Sequence, residues 1–100
     1  MTDVSWSPQA IVVVSNDQVS CQLGDDAAIL HVGSGQYYTL NRVGARVWAL
    51  LQEPIPIQRL RDTLFAEFDV PRDRLDRELL DLLRRLSSEK LIDVRDGPAA

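Results

Sequence analysis

What this chain of 100 residues has little of narrows its reading first. A single cysteine, Cys21, excludes an internal disulfide and suits a reducing compartment. A single histidine, His31, leaves no cluster of His and Cys ligands for a metal. A Cys–His nucleophilic pair would need neighbouring strands to bring Cys21 and His31 together, and no third group orients the base. Basic residues are not in surplus: 11 Lys and Arg against 15 Asp and Glu give a net charge of -4. That argues against nucleic acid, whose phosphates demand an excess of positive charge. No apolar run is long enough to span a bilayer. The start Met1 to Pro8 lacks the basic residues and apolar core of a signal peptide, so no membrane and a cytoplasmic location are expected. Gly33-Ser34-Gly35 is too short for a phosphate-binding loop and has no following lysine. The inventory offers neither a metal site, nor a cofactor site, nor a catalytic set. It reads as that of a binding module, not an enzyme.

What is present is an ordinary globular composition, 45% hydrophobic and 26% charged, enough for one domain with a modest core. Residues 1–10 read as a flexible arm, 11–95 as the domain and 96–100 as a disordered tail. Within the domain, Val19 to Leu23, Ala27 to Val32 and Gln36 to Leu40 alternate as strands. Their connections, Gly24-Asp25-Asp26 and Gly33-Ser34-Gly35, are too short for anything but an antiparallel meander. The third strand runs straight into a helix. Tyr38 and Leu40 share one face of it and Tyr37 and Thr39 the other, and Asn41 suits the helix N-cap. Gly44, costly within a helix, implies a close backbone approach. Helices are expected over about 42–52, 57–68 and 72–88, separated by Glu53-Pro54-Ile55-Pro56 and Asp69-Val70-Pro71. Ile11 to Val14 and Leu91 to Val94 are further strand candidates. The fold class is α+β, a winged helix-turn-helix-like packing of a three-stranded antiparallel meander followed by three helices.

The third helix carries more apolar residues than one stripe requires. Leu75, Leu79, Leu82 and Leu86 share a narrow face and read as the core side. Asp76, Leu80, Leu83 and Ser87 make a second stripe. If the third strand, a free sheet edge, lies beside it, the two bound an apolar groove, with Arg84 and Asp76 at its rim. The same stripe could instead pack on the other helices or pair in a dimer. The helix's arginines alternate with acids, the pattern of a solvated face rather than of a DNA-reading helix.

Ile29-Leu30-His31-Val32-Gly33-Ser34-Gly35-Gln36-Tyr37-Tyr38-Thr39-Leu40-Asn41, followed by Val43-Gly44-Ala45 and Val47-Trp48, resembles the PqqD-like family. These are the recognition elements for ribosomally synthesised, post-translationally modified precursor peptides. The likeness extends through Leu51-Gln52-Glu53-Pro54, Phe68-Asp69-Val70 and Leu91-Ile92, and is greatest to the stand-alone recognition proteins of lasso peptide biosynthesis. One departure is Pro56, where a Ser or Thr cap is expected. The resemblance implies binding of a precursor leader peptide as an added strand on residues 36–40, against the third helix. Gln36, Tyr37, Tyr38, Thr39 and Leu40 would supply the edge, and Asp76, Leu80, Leu83, Arg84 and Ser87 the helical wall. The implied partners are a leader peptidase of cysteine-protease type and an ATP-dependent cyclase. Three alternatives stay open: a PqqD-like chaperone serving a radical SAM enzyme, a winged-helix nucleic-acid-binding regulator, and a dimer joined by its edge strands.

Overall fold

A computed structural model describes residues 6–95. Alternation and turn chemistry produce a meander of β2 (Gln18–Leu23), β3 (Asp26–His31) and β4 (Tyr37–Leu40), in the order β2-β3-β4. Gly35, at φ 74, closes the second hairpin: its amide donates to the His31 carbonyl while His31 donates to the Gln36 carbonyl. The inner face of the sheet buries Ala27, Ile29 and Leu40.

The chain enters α1 (Arg42–Leu50) directly from β4. Asn41 caps it, its side-chain oxygen accepting from the Gly44 amide at 2.9 Å. A Cβ on Gly44 would lie 3.2 Å from the Leu40 Cβ, so the strand-to-helix corner is tight there. α2 (Ile57–Glu67) and α3 (Arg72–Ser88) follow, tied together by the bidentate pair of Arg61 with Asp76, while Arg46 and Glu67 tie α1 to α2 at 2.7 Å. α3 ends with Lys90 in the left-handed region. The Leu91 amide reaches back to the Leu86 carbonyl at 2.9 Å and both side chains are buried.

A second sheet, ordered β5-β1-β6, joins the two ends of the domain: β1 (Ile11–Val14) pairs with β5 (Ile55–Pro56) and β6 (Ile92–Arg95). It also explains how α2 starts at a proline that has no side-chain cap to give. The first amides of α2, on Ile57 and Gln58, donate instead to the carbonyls of Ala10 and Pro8, both at 2.9 Å. Of the arm expected over 1–10, Ala10 is buried and Trp6 packs on the core. Residues 1–5 and the tail expected over 96–100 lie outside the described residues. Deleting residues 1–10 removes this backbone cap and buried apolar surface. The expected loss is about 2 kcal/mol or more, read as a fall in Tm of roughly 10 °C; an unchanged Tm would show that the arm is not holding α2.

Two sequence expectations are reversed. β2 is not half-buried: Val19 and Leu23 are 58% and 56% exposed, because the helices cover only β3 and β4 on the inner face, and β2's apolar residues point to the outer one. On α3 the buried set is Leu75, Leu79, Leu83 and Leu86, and Leu82 is only half-buried. At about 100° per residue, Leu82 and Leu83 flank the centre of the buried stripe by about 50° on opposite sides. The wheel cannot choose between them; the side on which the sheet lies does.

Candidate functional site

The site begins with hydrogen-bonding groups that the fold leaves unused. Among the described residues β4 pairs only with β3, which leaves its other edge without a strand partner there. In an antiparallel ladder, residues facing the neighbour alternate with residues facing away. His31 opposite Gln36 is a bonded pair. Counting by twos in the observed register, Tyr38 and Leu40 turn their amides and carbonyls toward β3. Tyr37 and Thr39 turn theirs outward. The edge therefore offers two N–H and two C=O groups to an incoming strand.

Beside this edge β4, α1 and α3 together line an open groove of about 480 Å³. Its floor is apolar, made by Leu40, Val43 and Val47 with Leu79 and Leu82 of α3, and its rim carries Glu78, Asp81 and Arg85. At the far end the Tyr38 hydroxyl donates to Glu89 at 2.7 Å, and the Arg85 guanidinium lies 5.9 Å from the Tyr38 ring centre. The hydrogen bond to Glu89, with desolvation and the Glu89 charge behind it, holds the Tyr38 phenol above its ordinary pKa; Arg85 opposes the shift. The cluster fixes the Tyr38 ring against the end of α3.

The strand residues named from the sequence fall at this edge. Tyr38 and Leu40 face inward as expected, Thr39 borders the groove, and Tyr37 stands 70% exposed on the outer sheet face. The helical residues named from the sequence do not line the groove. Leu83 is fully buried in the core, not a groove residue. Asp76 is engaged by Arg61 of α2, and Ser87 borders a shallow depression next to β1 and β6. Leu80 is half-buried on that same flank of α3, and Arg84 is paired with Asp81 at 3.3 Å. The second stripe exists, but it is the flank turned away from β4. The residues that replace it, Glu78, Asp81, Leu82 and Arg85, recur at spacings of three and four. That periodicity was visible in the sequence; the side on which β4 packs was not.

The other edge of the sheet, β2, borders a depression of about 580 Å³ against α1. Ser20, Gln22 and the Arg46–Glu67 ion pair line it together with Ala27, Ala45, Trp48 and Phe68, so it mixes polar and apolar wall much as the β4 groove does. Cys21 and His31 do not meet: Cys21 is opposite Ala28, three register steps from His31, and on the other face. Among the described residues no group of three or more His, Cys, Asp or Glu side chains could hold a metal, and no helix is long and apolar enough to cross a membrane.

Comparison with known proteins bears on this geometry. No curated protein matches the chain. A solved structure described as TbiB1 in complex with the TbiA(beta) leader peptide superposes with a TM-score of 0.74 at 34% sequence identity, covering 88% of this chain and 99% of that one. The family described as coenzyme PQQ synthesis protein D (PqqD) matches residues 26–92, from the start of β3 into β6. The chain belongs to the PqqD family, as a non-catalytic recognition element with the winged-helix-like fold of that family.

Proposed function

We propose that this protein captures the leader of a ribosomally synthesised precursor peptide as a fourth strand on β4 and presents it to modifying enzymes of a lasso pathway. The single observation that carries the reading is the free β4 edge set beside an apolar groove. The similarity to TbiB1, whose structure holds a leader peptide, supports it. The outward groups of Tyr37 and Thr39 allow four ladder bonds, which accept almost any sequence. At about 1 kcal/mol each, they fall well short of the roughly 8 kcal/mol of micromolar binding. Side chains must supply the remainder and the specificity. In an added strand every second residue points inward, onto the floor of Leu82, Val43 and Val47. Glu78, Asp81 and Arg85 then read polar or charged neighbours at the rim. Gln36, Tyr37, Tyr38, Thr39 and Leu40 form the strand side of the site. The complex would hand its leader to a peptidase of cysteine-protease type and then to an ATP-dependent cyclase, in the cytoplasm.

A second reading draws on the family description itself, a PQQ synthesis protein: a peptide chaperone for a radical SAM enzyme. The two differ in partner, not in site. The test is fluorescence polarisation with a labelled synthetic leader of the precursor encoded beside this chain. Saturable binding at micromolar concentration or tighter, abolished by scrambling the peptide, is the expected result. Failure of the folded protein to bind would remove the leader-capture reading altogether.

A further inference from the structure

β2 is the other border of the meander, and among the described residues it pairs only with β3. Its register turns the amides and carbonyls of Gln18, Ser20 and Gln22 away from β3, by the same alternation that turns out those of Tyr37 and Thr39 on β4. The edge thus offers hydrogen-bonding groups from three residues, one more than the capture edge. Exposed edges are ordinarily blunted by charge, proline or brevity. The second sheet follows that rule: β5 is two residues long and ends on Pro56, and β6 carries Asp93 and Arg95. β2 does not. It is six residues long, holds no charged residue and no proline, and leaves Val19 and Leu23 58% and 56% exposed. On the helix side it borders the depression of about 580 Å³, so the space beside the edge is open. An unguarded edge of this kind calls for a strand to cover it.

We infer that β2 pairs with β2 of a second copy, antiparallel about a two-fold axis at Ser20, to give a six-stranded sheet that keeps both β4 edges outermost. Such a dimer needs no leader, so it stands apart from the capture reading. The strand's own sequence selects this occupant. Its outward positions read Gln-Ser-Gln in both directions, so the dyad sets Gln18 of each copy opposite Gln22 of the other, and Ser20 opposite Ser20. Each of these three bonded pairs exchanges two backbone hydrogen bonds. Amide meets amide and hydroxyl meets hydroxyl, and each of these groups both donates and accepts. Gln18 keeps its side-chain oxygen without a hydrogen-bond partner among the described residues, and the amide of Gln22 from the second copy stands opposite to supply one. On the other face of the sheet Val19 meets Cys21 of the second copy. Charge fixes the register. A dyad at Cys21 would set Asp17 opposite Asp25, a like-charge pair, and keep only two bonded pairs within the strands. Pairing along one short strand buries less than the roughly 800 Å² per partner of a standard interface, so the dimer is expected to be weak and to form over about 10–500 µM protein.

The test is sedimentation velocity of the full chain, without leader, across that concentration range. The original chain is expected to pass from monomer to dimer. Ser20→Pro removes the central outward donor, and Ser20→Lys sets two like charges face to face at the dyad. Both spare the ladder to β3, because Ser20 is exposed and its backbone groups point away from that strand. Ser20→Lys keeps every backbone donor and serves should the proline disturb folding. Each variant is expected to keep its Tm, to weaken dimerisation by 10-fold or more and to bind the synthetic leader within twofold of the original chain. An original chain that stays monomeric throughout would overturn the inference, and so would undiminished dimerisation of the folded variants. Saturating leader is the last control. A β2 dimer survives it, whereas a dimer that leader dissolves is joined at β4, which would also overturn the inference. An original chain that dimerises as expected but binds no leader removes the capture reading and leaves the β2 dimer standing.

Discussion

Leu83→Asp is expected to abolish folding, and Leu82→Asp is expected to fold and to lose leader binding. The two leucines are adjacent in sequence and identical in chemistry, so the contrast isolates position. Leu83 is 0% exposed among Leu75, Leu79 and Leu86, with no buried polar partner nearby. An aspartate there either stays charged without a counter-ion or takes up a proton at a cost, and also leaves the leucine's volume unfilled. Uncompensated buried charge alone costs about 3–5 kcal/mol, and the cavity adds about 2–5 more. Together these consume most or all of the roughly 5–15 kcal/mol that stabilises a small domain. Circular dichroism would show Leu83→Asp without a cooperative thermal transition. Leu82 is half-buried on the groove floor, where a carboxylate can reach water. The expected fall in leader affinity is 10-fold or more, about 1.4 kcal/mol, with the transition retained. Asp76→Asn, on the far flank of α3, should leave leader affinity unchanged. The reverse pattern, a folded Leu83→Asp with weakened binding, would return the groove to the flank of Asp76, Leu80, Leu83 and Ser87.

That pair of residues also marks the limit of what the sequence could say. Local chemistry was legible wherever it acts within a few residues. Asn41 as cap, the inward Tyr38 and Leu40, and the breaks at Pro54–Pro56 and Asp69–Pro71 all appear where short-range rules place them. The same holds for the edge strand itself, since a meander of three strands must leave its last edge free unless something later covers it. What was not legible depends on the placement of elements far apart in sequence. A stripe of leucines announces two flanks of α3, but only the packed sheet decides which one faces β4. Likewise β2 reads as half-buried by alternation, and nothing local reveals that the helices stop short of it. Pro56 looked like a missing cap because the acceptors that replace it, the carbonyls of Pro8 and Ala10, lie almost fifty residues earlier.

Thr39→Pro is expected to sever leader capture without unfolding the domain, and Tyr38→Pro to unfold or severely destabilise it. The Thr39 amide points away from β3, into the space an added strand would occupy, so proline there removes a donor the fold does not use. Edge strands accept proline at such positions. The Tyr38 amide, one residue away, points at β3, opposite Ile29, and its loss breaks the ladder of the central hairpin. The Tyr38 hydroxyl also holds Glu89 of the α3 C-cap, so a displaced Tyr38 loosens the groove's far end as well. For Thr39→Pro one of four ladder bonds disappears and the proline ring crowds the incoming strand. A 10-fold or greater loss of leader affinity follows, about 1.4 kcal/mol, with Tm changed by only a few degrees. Fluorescence polarisation and a thermal melt on the same two variants decide the matter. If Thr39→Pro binds leader as well as the original chain, the leader does not add to β4. Strand addition would then have to be sought at β2, where the outward amides of Ser20 and Gln22 border the other groove.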